Sequence, residues 1–184
     1  MMTQPAPGVL LIADPFLKDP NFMRTVVFLT EHRSEGTIGF VLNRQYENTL
    51  DELIPEVEGF KLPVYYGGPV QMNTIHFLHS YPDEVQGGIE VMSGIFWGGD
   101  FDSVVRLINS GVADPGRIRF YIGYSGWSPG QLDTEMSEKT WLTVEGTPGL
   151  IFHSDAEQIW RESLRHLGGE YEMMINFPID PQLN

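Results

Sequence analysis

The 184-residue chain contains no cysteine. Disulfides, thiol catalysis and thiolate metal sites are therefore excluded together, although this absence does not fix a compartment. Lysine is nearly missing: Lys18, Lys61 and Lys139 are all there is, in a chain with 11 basic and 25 acidic side chains and a net charge of -14. Nucleic-acid affinity draws heavily on Lys and Arg neutralising phosphates, so this balance disfavours nucleic acid and leaves an acidic, solvated surface. Long apolar runs are absent too. None approaches the roughly 18 to 20 residues that span a bilayer, and no membrane association is expected. The opening MMTQPAPGVLLIADP has no basic start and meets Asp14 and Pro15 after a short apolar run. It lacks the layout of a secretory signal, so a cytoplasmic location is expected. No pair of glycines has GxGxxG spacing and no GK dipeptide exists for a phosphate loop, which disfavours nucleotide chemistry of those kinds.

What is present is enough for a core: 41% hydrophobic and 12% aromatic residues over a length that suits one domain, residues 1–184. GVLLIA, RTVVFLTEH and GTIGFVLN are rich in β-branched and aliphatic residues and are bounded by Gly, Pro, Asp and Asn, so they read as strands. RSEG between the second and third reads as a hairpin turn. PVYYGG, TIHFLH, GGIEVM, IRFYIGY, TWLTVEG and GLIFH carry the same signature. Helices are placed by caps and apolar spacing. Asp100 and Gly111 bound one over FDSVVRLINS, and Ser154 with Glu157 has capping-box spacing before a helix whose Trp160, Leu164 and Leu167 face the core. A shorter turn is expected at TLDELIP.

The stretch GYSGWSPGQLD, Gly123 to Asp133, sets a Ser between glycines at the end of a strand. Gly123 and Gly126 permit a sharp turn, and Ser128, Pro129 and Gln131 fall at N-cap, N1 and N3 of a new helix. The hydrolase elbow GxSxG has this context, but it needs Gly where Trp127 stands. A triad of Ser125 with His153 and Asp155 or Asp133 is still conceivable, because chain order does not define one. His76 and His79 are three apart, which on a strand sends them to opposite faces and argues against a shared metal. GGDFD is explained by a Gly pair before the Asp100 cap, and Asp100/Asp102 and Asp14/Asp19 read as surface and cap carboxylates. No catalytic residue, metal site or cofactor is assigned.

The succession GVLLIADPFLKDPNFMRTVVFLTEH, GTIGFVLNR, YYGGPV, GYSGW with GQLD, and FHSDAEQIWRESLRHLG resembles the AlgH/YqgE family of bacterial proteins, in that order over nearly the whole chain. The resemblance implies a single α+β domain whose mixed, bifurcated β-sheet is rolled into a pseudo-barrel with flanking helices. It implies no chemistry, and the family's label as a transcriptional regulator is a name rather than a mechanism. Two positions depart from the family pattern: Gln45 where LNRP has Pro, and Asp133 where GQLE has Glu. Three function classes follow. The first is a non-enzymatic binding or regulatory protein acting through a loop surface that includes the VLNR and GYSGW turns. There Asn43, Arg44, Ser125, Gly126 and Trp127 would form a site for a small anion or face a protein partner. The second is a hydrolase using Ser125, and the third a DNA-binding regulator using Arg161 and Arg165 of the last helix.

Overall fold

The computed structural model describes residues 3–177. Its strands are β1 (Val9–Ala13), β2 (Val26–Arg33), β3 (Gly36–Val41), β4 (Gln45–Thr49), β5 (Pro63–Tyr66), β6 (Val70–His79), β7 (Ile89–Met92), β8 (Ile95–Trp97), β9 (Ile118–Trp127) and β10 (Trp141–Glu145). The helices are α1 (Leu50–Leu53), α2 (Phe101–Asn109), α3 (Gln131–Ser137), α4 (Pro148–Ile151) and α5 (Ala156–Leu167), followed by a 3-10 segment, Gly169–Asn176.

Strand β9 is the fork of the sheet. One of its edges carries β6, with Ile118–Ile122 opposite His79–Ile75. Its other edge carries first β5, in the one parallel pairing, at Phe120–Ile122, and then β3, at Ser125–Trp127. Gly67 sits where the branches part: its N–H donates to the Ile122 carbonyl at 2.9 Å and its carbonyl accepts from Val41 N–H at 2.9 Å. From there the sheet runs β10-β1-β2-β3-β9-β6-β8-β7, with β5 and β4 branching away. The sheet is mixed and bifurcated, as expected. It rolls without closing: β7 comes round to Gly8, where a Cβ would lie 3.1 Å from that of Met92, yet no ladder joins β7 to β1 or β10 among the described residues.

Glycine makes the fork possible. A Cβ on Gly123, whose φ is 69°, would sit 2.4 Å from the Gly68 carbonyl oxygen, and one on Gly68 would sit 2.2 Å from the Tyr124 carbonyl carbon. Two backbones meet there at a distance that only glycine permits. The glycines of YYGGPV and GYSGW thus serve each other.

Alternation along β9 divides the core. Phe120 and Ile122 face α1 and α2, packing with Leu50, Val104 and Ile108. Tyr121 faces the concave side with Phe28 and Phe40, under Ile151 of α4 and Ile159, Trp160 and Leu164 of α5. Arg119 lies on this side as well and is only 5% exposed. Its Nη1 donates to the carbonyls of Ile151 and His153 at 3.2 and 2.9 Å, and its Nη2 to that of Leu42 at 3.2 Å. The guanidinium carbon stands 3.6 Å from the centroid of the Tyr65 ring. One side chain therefore joins the end of α4, the segment after β3, β5 and the central strand. A third cluster covers the outer face of β1–β3, where Leu132 of α3 meets Trp127 and Trp141.

Several local expectations need correction. GLIFH is not a strand: Thr147 Oγ1 accepts from Leu150 N–H and Pro148 opens α4. GYSGW is not a turn, because β9 runs through Trp127 and bends only at Gly123. Ser128 does not cap α3. That helix starts at Gln131 after Gly130 at φ 77°, though the Gln131 amide does accept from Ser128 N–H. Asp155, not Ser154, caps α5, accepting from Glu157 N–H at 3.1 Å. The Asp100 cap of α2 stands, with Oδ2 accepting from Ser103 N–H, and Gly111 adopts the left-handed conformation past its end. Strands β4 and β8 had no clear signal: QYENT is polar, and IFW is three residues long.

On α5, Trp160 is buried, donates to the Ala13 carbonyl at 3.0 Å and lies under the Arg24 guanidinium. Trp160→Ala is expected to cost about 3 to 5 kcal/mol in urea unfolding. A midpoint within error of the parent would mean that α5 does not anchor the concave core.

Candidate functional site

The five residues expected to form a site separate into three jobs. Ser125 is fully buried on β9, opposite Gly39, and its hydroxyl donates to the Gly67 carbonyl at 3.0 Å. It braces the fork. Asn43 accepts from Val26 N–H at 3.0 Å and donates to the Arg24 carbonyl at 2.9 Å. Arg44 donates to the carbonyls of Pro20 and Met23 at 2.8 and 3.1 Å. Partial desolvation lowers its pKa, an effect partly offset by Tyr66 and Asp19. Both side chains latch the β1–β2 loop and the start of β2 to the segment after β3, and the Arg44 fork is spent on Pro20 and Met23 rather than turned to Ser125. Of the five, Gly126 and Trp127 line a surface depression.

The catalytic alternative fares no better. His153 follows α4, and its Nδ1 accepts from Asp155 N–H at 3.0 Å. Asp155 is occupied with the α5 cap, and Asp133 is exposed on the first turn of α3. Nothing links Ser125 to a base. His76 and His79 do point to opposite faces: His76 packs against Phe40 and Tyr124, whereas His79 Nε2 donates to the Gly98 carbonyl, its Nδ1 accepts from Tyr81 N–H, and the ring stacks on Phe96. Burial lowers the pKa of both rings. Among the described residues no group of three or more His, Asp or Glu could hold a metal ion. On α5, Arg165 is paired with Glu162 at 2.5 Å, which sets an acidic neighbour within the basic pair.

A surface feature does form where β9 ends. Three depressions meet around the β2–β3 hairpin, of about 340, 410 and 200 Å³. The first lies between Ile38, Val70, Tyr124 and the segment Gly126–Ser128. The second shares Thr37 and Ser128 with it and adds His32 and Asp133. The third opens toward Ile89, Glu90 and Trp97. Arg33 borders all three, with a side chain 69% exposed and a 3.5 Å contact to Glu31. The Trp127 indole is 5% exposed, stacks with Phe22 and donates to Glu135, so it is a fixed edge rather than a free wall. Nothing in the sequence marks Arg33, a charged residue at the end of β2. Arg119 has a signal: a lone charge inside the apolar strand IRFYIGY.

A family model described as AlgH-like matches residues 10–172. A UPF0301 protein of Chlorobium limicola is 46% identical over 178 residues, covering 97% of this chain and 95% of the relative. Another, from Bacteroides thetaiotaomicron, is 36% identical over 181 residues, 98% of this chain and 92% of its own. The solution structure of the AlgH protein from Pseudomonas aeruginosa superposes with a TM-score of 0.73 at 29% identity, covering 95% of this chain and 97% of that one. A crystal structure from Corynebacterium diphtheriae shares the fold, with a TM-score of 0.76 at 21% identity over 96% and 95% of the two chains. No described helix is long and apolar enough to cross a membrane.

Ser125→Ala is expected to stay folded, losing about 0.5 to 1.5 kcal/mol, because the Gly67 carbonyl keeps its Val41 partner. A serine-directed phosphonate should leave the parent protein unlabelled in mass spectrometry. Stoichiometric labelling at Ser125 would reinstate the hydrolase.

Proposed function

The chain belongs to the AlgH-like family, and from that premise we propose that it is a non-catalytic binding protein that engages a protein partner through the β2–β3 hairpin and the end of β9. The observation that carries the reading is the meeting of three adjacent depressions at one exposed guanidinium, that of Arg33. Tyr124, Trp127 and Trp97 border them, and aromatic side chains with Arg are the residue types that dominate binding energy at protein interfaces. Gly126 is exposed at the centre with no side chain to obstruct contact. The hairpin is held on a rigid platform, since β3 pairs with both β2 and β9. Of the expected anion site, Gly126 and Trp127 line this surface, while Ser125 braces β9 internally and Asn43 and Arg44 hold the β1–β2 loop. The acidic chain favours a partner whose contact face is neutral or basic.

Photo-crosslinking residues placed at Arg33 and Ser128, in cells of the source organism, should both yield the same discrete adduct. The same probe at Val112, 72% exposed and remote from the hairpin, should not. Identical adduct patterns at all three positions, or none at Arg33 and Ser128, would refute the proposed surface.

A further inference from the structure

Beside the buried Arg119 lies a separate cavity of about 180 Å³, at the start of β9. Its walls are apolar and aromatic, among them Pro63, Tyr65, Phe120 and Phe152, and its polar side chains besides the Tyr65 phenol are Arg119, His153 and Ser154. No carboxylate lines it. That is unusual for a chain carrying 25 acidic residues, and each depression around the hairpin includes Glu or Asp.

The charge of Arg119 has no acidic counterpart, because the ion pairs among the described residues involve only Arg33 and Arg165. Three of the five guanidinium N–H groups are used on carbonyls, and Nε has no partner although it is buried. A cation met by carbonyl dipoles but by no carboxylate keeps its net charge, and against a low-dielectric wall it sets a positive potential in the adjoining space. His153 adds direction. Its Nδ1 accepts from Asp155 N–H, so the neutral ring carries its proton on Nε2, free to donate. The Ser154 hydroxyl is exposed beside it. Positive potential, two donors and aromatic walls in a small space are the combination that receives a carboxylate attached to a compact apolar body.

We propose that this cavity is a binding site for a small carboxylic acid with an apolar body, its carboxylate turned toward Arg119, His153 and Ser154 and its body against Tyr65 and Phe152. The site lies apart from the hairpin surface and is independent of the protein-binding reading, since the two share no residue.

The test is a titration with sodium benzoate followed by 15N-resolved NMR, with sodium acetate and inorganic phosphate in parallel. Benzoate should shift the amides of Gly116, Phe120 and Ser154 saturably, and acetate or phosphate should do so at least roughly tenfold more weakly, for want of the apolar contact. Because Arg119 also supports the fold, the variants leave it in place. Ser154→Trp, at an exposed rim position, should abolish the shifts, and His153→Phe should weaken them roughly tenfold, both with unchanged melting temperatures. Absence of saturable shifts at these amides with benzoate, or equal binding in parent and both variants, would overturn the proposal. Phosphate binding as tightly as benzoate would overturn the carboxylate assignment.

Discussion

Burying a guanidinium is costly unless its N–H groups are met, and the fold meets three of the five on Arg119 with backbone carbonyls while Nε stays without a partner. Three carbonyls converge on it, from Leu42 after β3 and from Ile151 and His153 at the end of α4. These are groups with few other prospects: the last carbonyls of a helix lack partners within it, and a strand that gives way to a loop leaves its own unpaired. The helix end also carries partial negative charge, which suits a cation. Tyr65 supplies the face on which the guanidinium rests. The interaction thus connects four chain segments that are far apart in sequence, at the point where the sheet divides.

The division itself depends on close backbone approach. Gly67 and Gly68 enter the gap between β3 and β5, and Gly123 bends β9 past them. Ser125 completes the arrangement by donating to Gly67, so the residue that most resembles a nucleophile is a structural brace. Burial also pushes the Tyr121 phenol up in pKa, keeping it neutral beside Arg119. The open depressions lie elsewhere, around the hairpin and at the start of β9.

Much of the framework was legible from residue patterns. Nine segments read as strands, and eight of them are; the resemblance supplied the bifurcated sheet. GLIFH misled because a short apolar run suits a buried strand and a buried helical turn equally, and the Thr147–Pro148 start decided for the helix. The turn assigned to GYSGW failed for a related reason. Gly123 bends the strand without ending it, because β3 is waiting to pair with the residues that follow. The candidate site was less legible: Asn43 and Arg44 look available in sequence, but the partners they serve, Arg24, Val26, Pro20 and Met23, lie about twenty residues earlier and are brought near only by the β2–β3 hairpin. Arg119 could have been noticed, since a charge amid IRFYIGY is a conflict of pattern, and such conflicts mark positions with a structural or functional demand.

If the buried guanidinium holds the fork together, removing it should loosen all of its clients at once. Arg119→Met keeps comparable length without charge or donors and leaves three carbonyls unmet. Native-state hydrogen exchange on that variant is the most direct measurement. The expected result is a loss of protection shared by Phe120–Ile122, Tyr66 and Ile151, with a global destabilisation of about 3 to 5 kcal/mol. Protection and stability equal to the parent's would contradict it and reduce Arg119 to a tolerated passenger in the core.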